Sequence, residues 1–344
     1  AGSPLFRPRN SVNWPAQSSG RVISVFCPTL SSRPRGARDL SRYWLLAIGG
    51  GAASVLIYSL AGTVPGGLIF AYFTALPLYL VGLGLGLSAG ATAGVAATVG
   101  IWIPGGGVTA MVFLVVTALP VMVFVRQALL SRNDAQGNQV WYPAGNMAFT
   151  LCVIGGLIYS AIALWLSFMP DGFEGTVRSF TEGMADTLLT QSAAEFRDVF
   201  VGKIAPILPG FAVASWLIMN VINAALAQGL LTRFQHNYRP TPEIASMELP
   251  HWLPLAAVSA AATVMGLLMP GSLGYYGTNL AIILFIPFFF IGLAVVHTLC
   301  RKKSIGPFLL IMFYGMLIIF GRLIIFVAAL GLIEQWVGLR RRFT

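Results

Sequence analysis

Residues 43–125 contain no Asp, Glu, Lys, Arg or His. A soluble fold cannot be built this way, because its water-facing surfaces would consist of apolar side chains alone. The pattern recurs. Residues 135–170 and 204–232 also lack any titratable acid, base or histidine, and 249–300 hold only His251 and His297. A hydrocarbon core about 30 Å thick takes roughly 20 apolar residues as a helix. Backbone groups in lipid must be paired within the segment, so such runs become helices. They are continuous, without the alternation of an outer-membrane barrel. Charged residues make up 9% of the chain, against about 25% in an ordinary soluble domain. That excludes a soluble globular or disordered protein. The net charge of +10 is no sign of nucleic-acid binding, because the basic residues fall in short clusters between apolar runs. The fold class is therefore all-α: a polytopic transmembrane helix bundle in a lipid bilayer.

Turn residues divide the runs into about nine spans, within a range of eight to ten: 43–62, 68–87, 88–104, 108–125, 145–168, 204–231, 252–269, 273–299 and 305–332. The dividers include Pro65-Gly66-Gly67, a corner near Gly86, Pro104-Gly105-Gly106-Gly107, Pro170 and Pro270-Gly271. Aromatic residues such as Tyr43, Trp44, Trp102, Trp141, Trp252 and Trp336 stand near span ends, as interfacial anchors do.

Lys and Arg in short flanks orient such proteins with their basic side in the cytoplasm. A cytoplasmic N-terminus puts the arginines up to Arg42 inside, together with Arg126, Arg132, Arg233, Arg239, Arg301, Lys302 and Lys303. The acidic 171–203 segment then lies outside. Nine spans, however, leave the basic tail 340–344, with Arg340, Arg341 and Arg342, outside as well. A break at Gly321-Arg322 would return the tail to the cytoplasm, but each piece would be only about 16 residues, roughly 24 Å of helix. A single span over 305–332 is the expectation.

Residues 1–42, rich in Arg, Ser and Pro, read as a disordered basic cytoplasmic extension ahead of the membrane domain at 43–339. They also resemble an organellar transit peptide in composition. Within 171–203, Phe180, Met184, Leu188, Phe196 and Val199 lie near one helical face. This suits an amphipathic helix on the outer membrane surface, as a connector or as a lid.

Cys27, Cys152 and Cys300 form no disulfide framework. His236, His251 and His297 form no zinc motif, so no metal or cofactor is implied. No phosphate-binding loop, nucleophile elbow or intramembrane aspartate pair is present in the sequence, and an enzyme is not expected. Arg322 is the one ionisable residue expected deep within a span, and such a residue is functional by default. With the amides of Asn220, Asn223 and Asn279 and with His297 it makes a candidate substrate-binding set. Asn220 and Asn223, three apart, share a helix face. Gly86, Gly90 and Gly94, with Ala89, Ala93 and Ala97, form four-residue ladders that let helices approach closely, within the chain or against a partner subunit.

Two stretches carry a family resemblance. One is Leu80-Val81-Gly82-Leu83-Gly84-Leu85-Gly86 with the Gly/Ala-rich span after it and Ala118-Leu119-Pro120. The other is Leu330-Gly331-Leu332-Ile333-Glu334-Gln335-Trp336, closed by Arg340-Arg341-Arg342. Over residues 43–342 the chain resembles the YybS-like family of uncharacterised bacterial membrane proteins (domain of unknown function 2232). That family is grouped with the S components of energy-coupling-factor vitamin transporters and with the cell-shape protein MreD. The resemblance implies an S-component-like core of about six helices with extra ones, in a bacterial inner membrane. It further implies capture of a vitamin-like small molecule and docking on a membrane coupling subunit with ATPases. Glu334, Trp336 and Arg340 match its C-terminal pattern. Small-molecule binding or transport without an ATPase of its own is the first expectation. A non-transporting MreD-like scaffold, partnered by envelope-assembly proteins, is the alternative.

Overall fold

The computed structural model describes residues 37–64, 66–188, 194–301 and 304–343. Most of the expected N-terminal extension lies outside the described residues. The protein is an all-α bundle of membrane type. The chain runs through α1 (Ala37–Thr63), α2 (Leu68–Ala71), α3 (Leu76–Leu85) and α4 (Leu87–Phe113), then a π-helical turn (Leu114–Ala118) and α5 (Leu119–Ala128). A small antiparallel ribbon, β1 (Ser131–Asn133) and β2 (Gln139–Trp141), precedes α6 (Ala144–Leu166). Then come α7 (Gly172–Leu188), α8 (Ala194–Ile204), α9 (Leu208–Arg233), a 3-10 turn (Ile244–Ser246), α10 (Trp252–Leu268), α11 (Gly271–Arg301), α12 (Gly306–Ile319), α13 (Leu323–Val337) and α14 (Leu339–Phe343).

Five described stretches are long and apolar enough to cross a membrane: Ser41–Thr63, Leu87–Ala128, Ala144–Leu166, Leu208–Arg233 and Gly271–Arg301. The second folds back on itself at Gly106, whose φ of 75° and ψ of 176° suit glycine alone. The two arms pack antiparallel, Gly90 against Met122 and Gly94 against Ala118. The glycine-rich corner at 104–107 thus separates two arms, as its sequence predicts. Gly86, at φ 98°, makes the corner between α3 and α4. The expected span over 68–87 is interrupted between α2 and α3.

The single span expected over 305–332 is corrected. The run breaks at Phe320-Gly321-Arg322 into α12 and α13, of 14 and 15 residues. Gly321, a poor helix former, stands at the break. Arg322 lies on the exposed turn as the N-cap of α13. α13 packs along α11 through two glycines, since a Cβ on Gly292 would strike the Val327 carbonyl and one on Gly331 the Phe288 carbonyl.

α11 is the axis of the bundle and touches α6, α9, α10 and α13. Phe288 and Ile291 are fully buried along it. Its Pro287 lacks an N–H and so frees the carbonyl four residues earlier. That carbonyl, on Ile283, accepts a weak bond from the Cys152 thiol on α6 at 3.6 Å. The same device recurs at Pro120, which frees the Val116 carbonyl within the π-helical turn. Trp216 on α9 donates its indole N–H to that oxygen at 2.9 Å. Each proline therefore converts a local backbone defect into a tie between helices.

At the far end, α7 buries Phe173, Val177, Thr181 and Ala185 at four-residue spacing. Phe173 packs edge-on against Tyr275 at 5.0 Å and Tyr159 at 5.9 Å, so aromatic rings fill the space beneath α7. Phe180, Phe196 and Val199 are exposed, leaving an apolar edge of the α7–α8 hairpin toward the surroundings. Arg197 donates two hydrogen bonds to Asp186, at 2.7 and 3.3 Å, and joins the two helices.

Candidate functional site

Polar side chains concentrate at the end of the bundle opposite α7 and α8, where the 234–251 loop lies across the ends of several helices. Four groups of contacts fix the loop. The Arg239 carbonyl accepts hydrogen bonds from Gln228 Nε2 (2.6 Å) and Asn237 Nδ2 (2.9 Å). Glu243 pairs with Arg301 at 2.8 Å. Arg340 Nη1 donates to the carbonyls of Ala245 (2.9 Å) and Met247 (2.8 Å). Glu248 rests its carbonyl against Gly145, where a Cβ would not fit.

The C-terminal motif supplies the clasp. Gly338 takes a left-handed conformation (φ 62°, ψ 46°) that ends α13 and turns the chain. Arg340 then folds back, its Nε 2.8 Å from the Glu334 carboxylate and its backbone N–H also directed there. Both side chains are largely buried, at 14% and 4% exposure. Trp336 meets Trp252 edge-on at 5.2 Å, joining α13 to α10. The Glu334, Trp336 and Arg340 pattern thus docks the chain's end on the 234–252 region.

Arg239 sits deeper in the same region, 7% exposed. Its Nη1 makes a long bond to the Ala128 carbonyl at 3.4 Å and a contact to Met147 Sδ at 3.8 Å. No carboxylate among the described residues pairs with it. Desolvation pulls its pKa down to about 10. Beside it, Gln127 Nε2 donates to Thr150 and Thr150 to the Asn146 carbonyl, both at 2.9 Å. Gln127 Oε1 and Asn146 Oδ1 are buried without a partner among the described residues. Sequence reading missed this cluster. Arg239 registers there as one more positive charge in a loop, and nothing in its flanks announces burial.

The residues expected to bind substrate are distributed, not gathered. Asn220 accepts from the Tyr79 hydroxyl at 3.0 Å and donates to the Trp216 carbonyl. Asn223 Nδ2 donates to the carbonyls of Tyr72 (2.6 Å) and Met219 (2.8 Å). Asn279 accepts from the Gly210 N–H at 2.7 Å and donates to the Pro206 and Tyr275 carbonyls, both at 2.9 Å, which secures the start of α9. His297 pairs with the Tyr314 hydroxyl at 2.9 Å. The Arg322 side chain makes no hydrogen bond or ion pair among the described residues; its carbonyl accepts from the Ile325 N–H at 3.1 Å. In the small-residue ladder, Ala89, Ala93 and Ala97 are fully buried within the chain. Gly51 of α1 lies so close to them that a Cβ there would meet the Ala93 carbonyl at 2.6 Å. No group of three or more His, Cys, Asp or Glu side chains among the described residues is placed to hold a metal ion.

No curated protein matches the chain. No solved structure matches it either. A family model described as "Predicted membrane protein (DUF2232)" matches residues 52–334, from the middle of α1 to the Glu334 of the C-terminal clasp. The chain therefore belongs to this family of membrane proteins.

Proposed function

We propose that the protein is a non-catalytic assembly platform of the bacterial inner membrane, with its arginine-rich end and both termini facing the cytoplasm. The observation that carries this reading is the use of the intramembrane amides. Asn220, Asn223 and Asn279 spend their amide hydrogens on neighbouring main-chain carbonyls, and Arg322 stands apart from them. A solute carrier needs polar groups converging on one cavity. Here each amide holds a carbonyl of its own helix and at least one group of a neighbouring segment. The clasped 234–251 loop supports the same reading, since it fastens the ends of α9, α11 and α13 to one another.

The orientation rests on charge. Among the described residues, the α7–α8 end carries only Arg178, Arg197 and Lys203 as basic groups. Arg239, Arg301 and Arg340 gather on the 234–251 loop. The short α12–α13 pair brings the tail back to that end and removes the conflict that nine full spans would create.

One observation favours the transport reading. Asn223 Oδ1 is buried and has no partner among the described residues, so it is free to accept from a solute or a water. A single experiment separates the two. The tagged protein is captured from its own membranes in nanodiscs, and proteins and small molecules are identified together by mass spectrometry. Stoichiometric envelope-assembly proteins without a metabolite support the platform. A stoichiometric metabolite, or a coupling subunit with its ATPases, overturns it in favour of an S-component-like carrier.

A further inference from the structure

We propose that Arg239, at the mouth of the α5–α6 interface, is the anchor of a binding site for a phosphate group that also bears a hydroxyl or amine donor. The argument begins with how firmly the residue is held. Gln228 and Asn237 both bond its carbonyl, so the backbone cannot swing the side chain out to solvent. The guanidinium offers five N–H donors. The protein uses only Nη1, through one long bond and one sulfur contact. Nε and Nη2 have no partner among the described residues, and no carboxylate there balances the charge. These two nitrogens are not sealed off, and a largely buried guanidinium without a counter-anion is costly. An anion presenting two oxygens to the planar fork removes the cost, and a phosphate does so with matching geometry.

Two further observations point the same way. Met147, in contact with Arg239, lies in the first turn of α6, whose N-terminus has no side-chain cap. The helix dipole favours an anion near this turn. Asn146 and Gln127 each flank a residue touched by Arg239, and each keeps a buried oxygen without a donor. Asn146 is itself 7% exposed. A bare anion leaves these acceptors unsatisfied. A phosphate ester with a hydroxyl or amine satisfies both halves of the site. Such a group belongs either to a phospholipid headgroup or to a soluble phosphate ester.

Thermal unfolding of the full chain in detergent tests this with four probes: short-chain phosphatidylglycerol, a phosphate-free diacylglycerol of the same chains, glycerol phosphate and inorganic phosphate. The expected result is a saturable rise in melting temperature with phosphatidylglycerol or glycerol phosphate, and none with diacylglycerol. Response to phosphatidylglycerol alone assigns the site to a lipid headgroup, whereas response to glycerol phosphate as well assigns it to a soluble ester. R239Q is expected to weaken the response at least about tenfold, and R178Q, at the opposite end, to leave it intact. R239K, which keeps the charge and loses the two-pronged fork, is expected to weaken the response as well; it decides the matter if R239Q does not fold. A wild-type midpoint unmoved by every phosphate probe, an equal shift with diacylglycerol, or undiminished responses in the variants would overturn the proposal. A response to inorganic phosphate equal to that of the esters would overturn the donor half of it.

Discussion

Asn279 shows how one side chain works in this protein. Its amide holds three backbone groups where α11 meets the start of α9. Asn279→Ala leaves the Gly210 N–H and the Pro206 carbonyl unpaired, and is expected to cost about 1–2 kcal/mol at roughly 0.6–1 kcal/mol per interhelical bond. Thermal unfolding in a fixed detergent measures it, and an unchanged midpoint would remove Asn279 from the list of structural ties. Glu334 and Arg340 form the second residue-scale unit. Removing one member of a buried pair costs about 3–5 kcal/mol. Here Glu334→Ala leaves Arg340 without its anion, and Arg340→Ala also frees the Ala245 and Met247 carbonyls. A double-mutant cycle is expected to give a coupling of about 3 kcal/mol, the double variant being little worse than either single one. Strict additivity would show that the clasp is not a unit.

At the scale of elements, α13 depends on α11 through bare backbone. Gly331→Val is expected to push α13 off the axis, because its first side-chain atom has no room beside the Phe288 carbonyl. Protease cleavage within 304–343 should then rise sharply while the rest of the bundle persists. Equal protection in the variant would mean that the two helices are held by something other than this contact. The α7–α8 hairpin carries a pH dependence. Asp186 takes a hydrogen bond from Arg197, which holds its carboxyl below the usual value of 3.8. A depressed folded-state pKa adds stability that is complete above the unfolded value and lost as pH falls through the folded one. The distance between labels on residues 183 and 202 is therefore expected to hold from neutrality to about pH 4 and to lengthen only below it. Lengthening already at pH 6 would show that Asp186 does not join the helices.

At the scale of the whole molecule, the structure predicts where each end lies. A reporter fused after residue 343 should report the same side as one inserted at Gly137, and the opposite side from one inserted at Gly183. Opposite sides for the first two would restore a full crossing over 305–332. Much of this architecture is legible from composition. Charge-free runs, the corner at 104–107 and the break between α10 and α11 follow from the need to pair every backbone group in lipid and from the few residues that can turn a helix there. The basic clusters likewise foretell one arginine-rich end.

What the sequence alone determined is the solvent: a chain so poor in charge has to be helical and lie in a bilayer. It also marked Arg322, the amide residues and the Glu334–Arg340 ending as unusual, because polar groups are rare in such a chain. Only the tertiary structure decided what those groups do. Asn279 reaches a helix start 69 positions away, and Trp216 repairs a carbonyl 100 positions away. Arg239 is buried by segments that are distant in the chain. Hydrogen bonds act over about 3 Å, so their partners are set by how helices cross. In a membrane that crossing is chosen by backbone fit at small residues, which periodicity and composition do not encode.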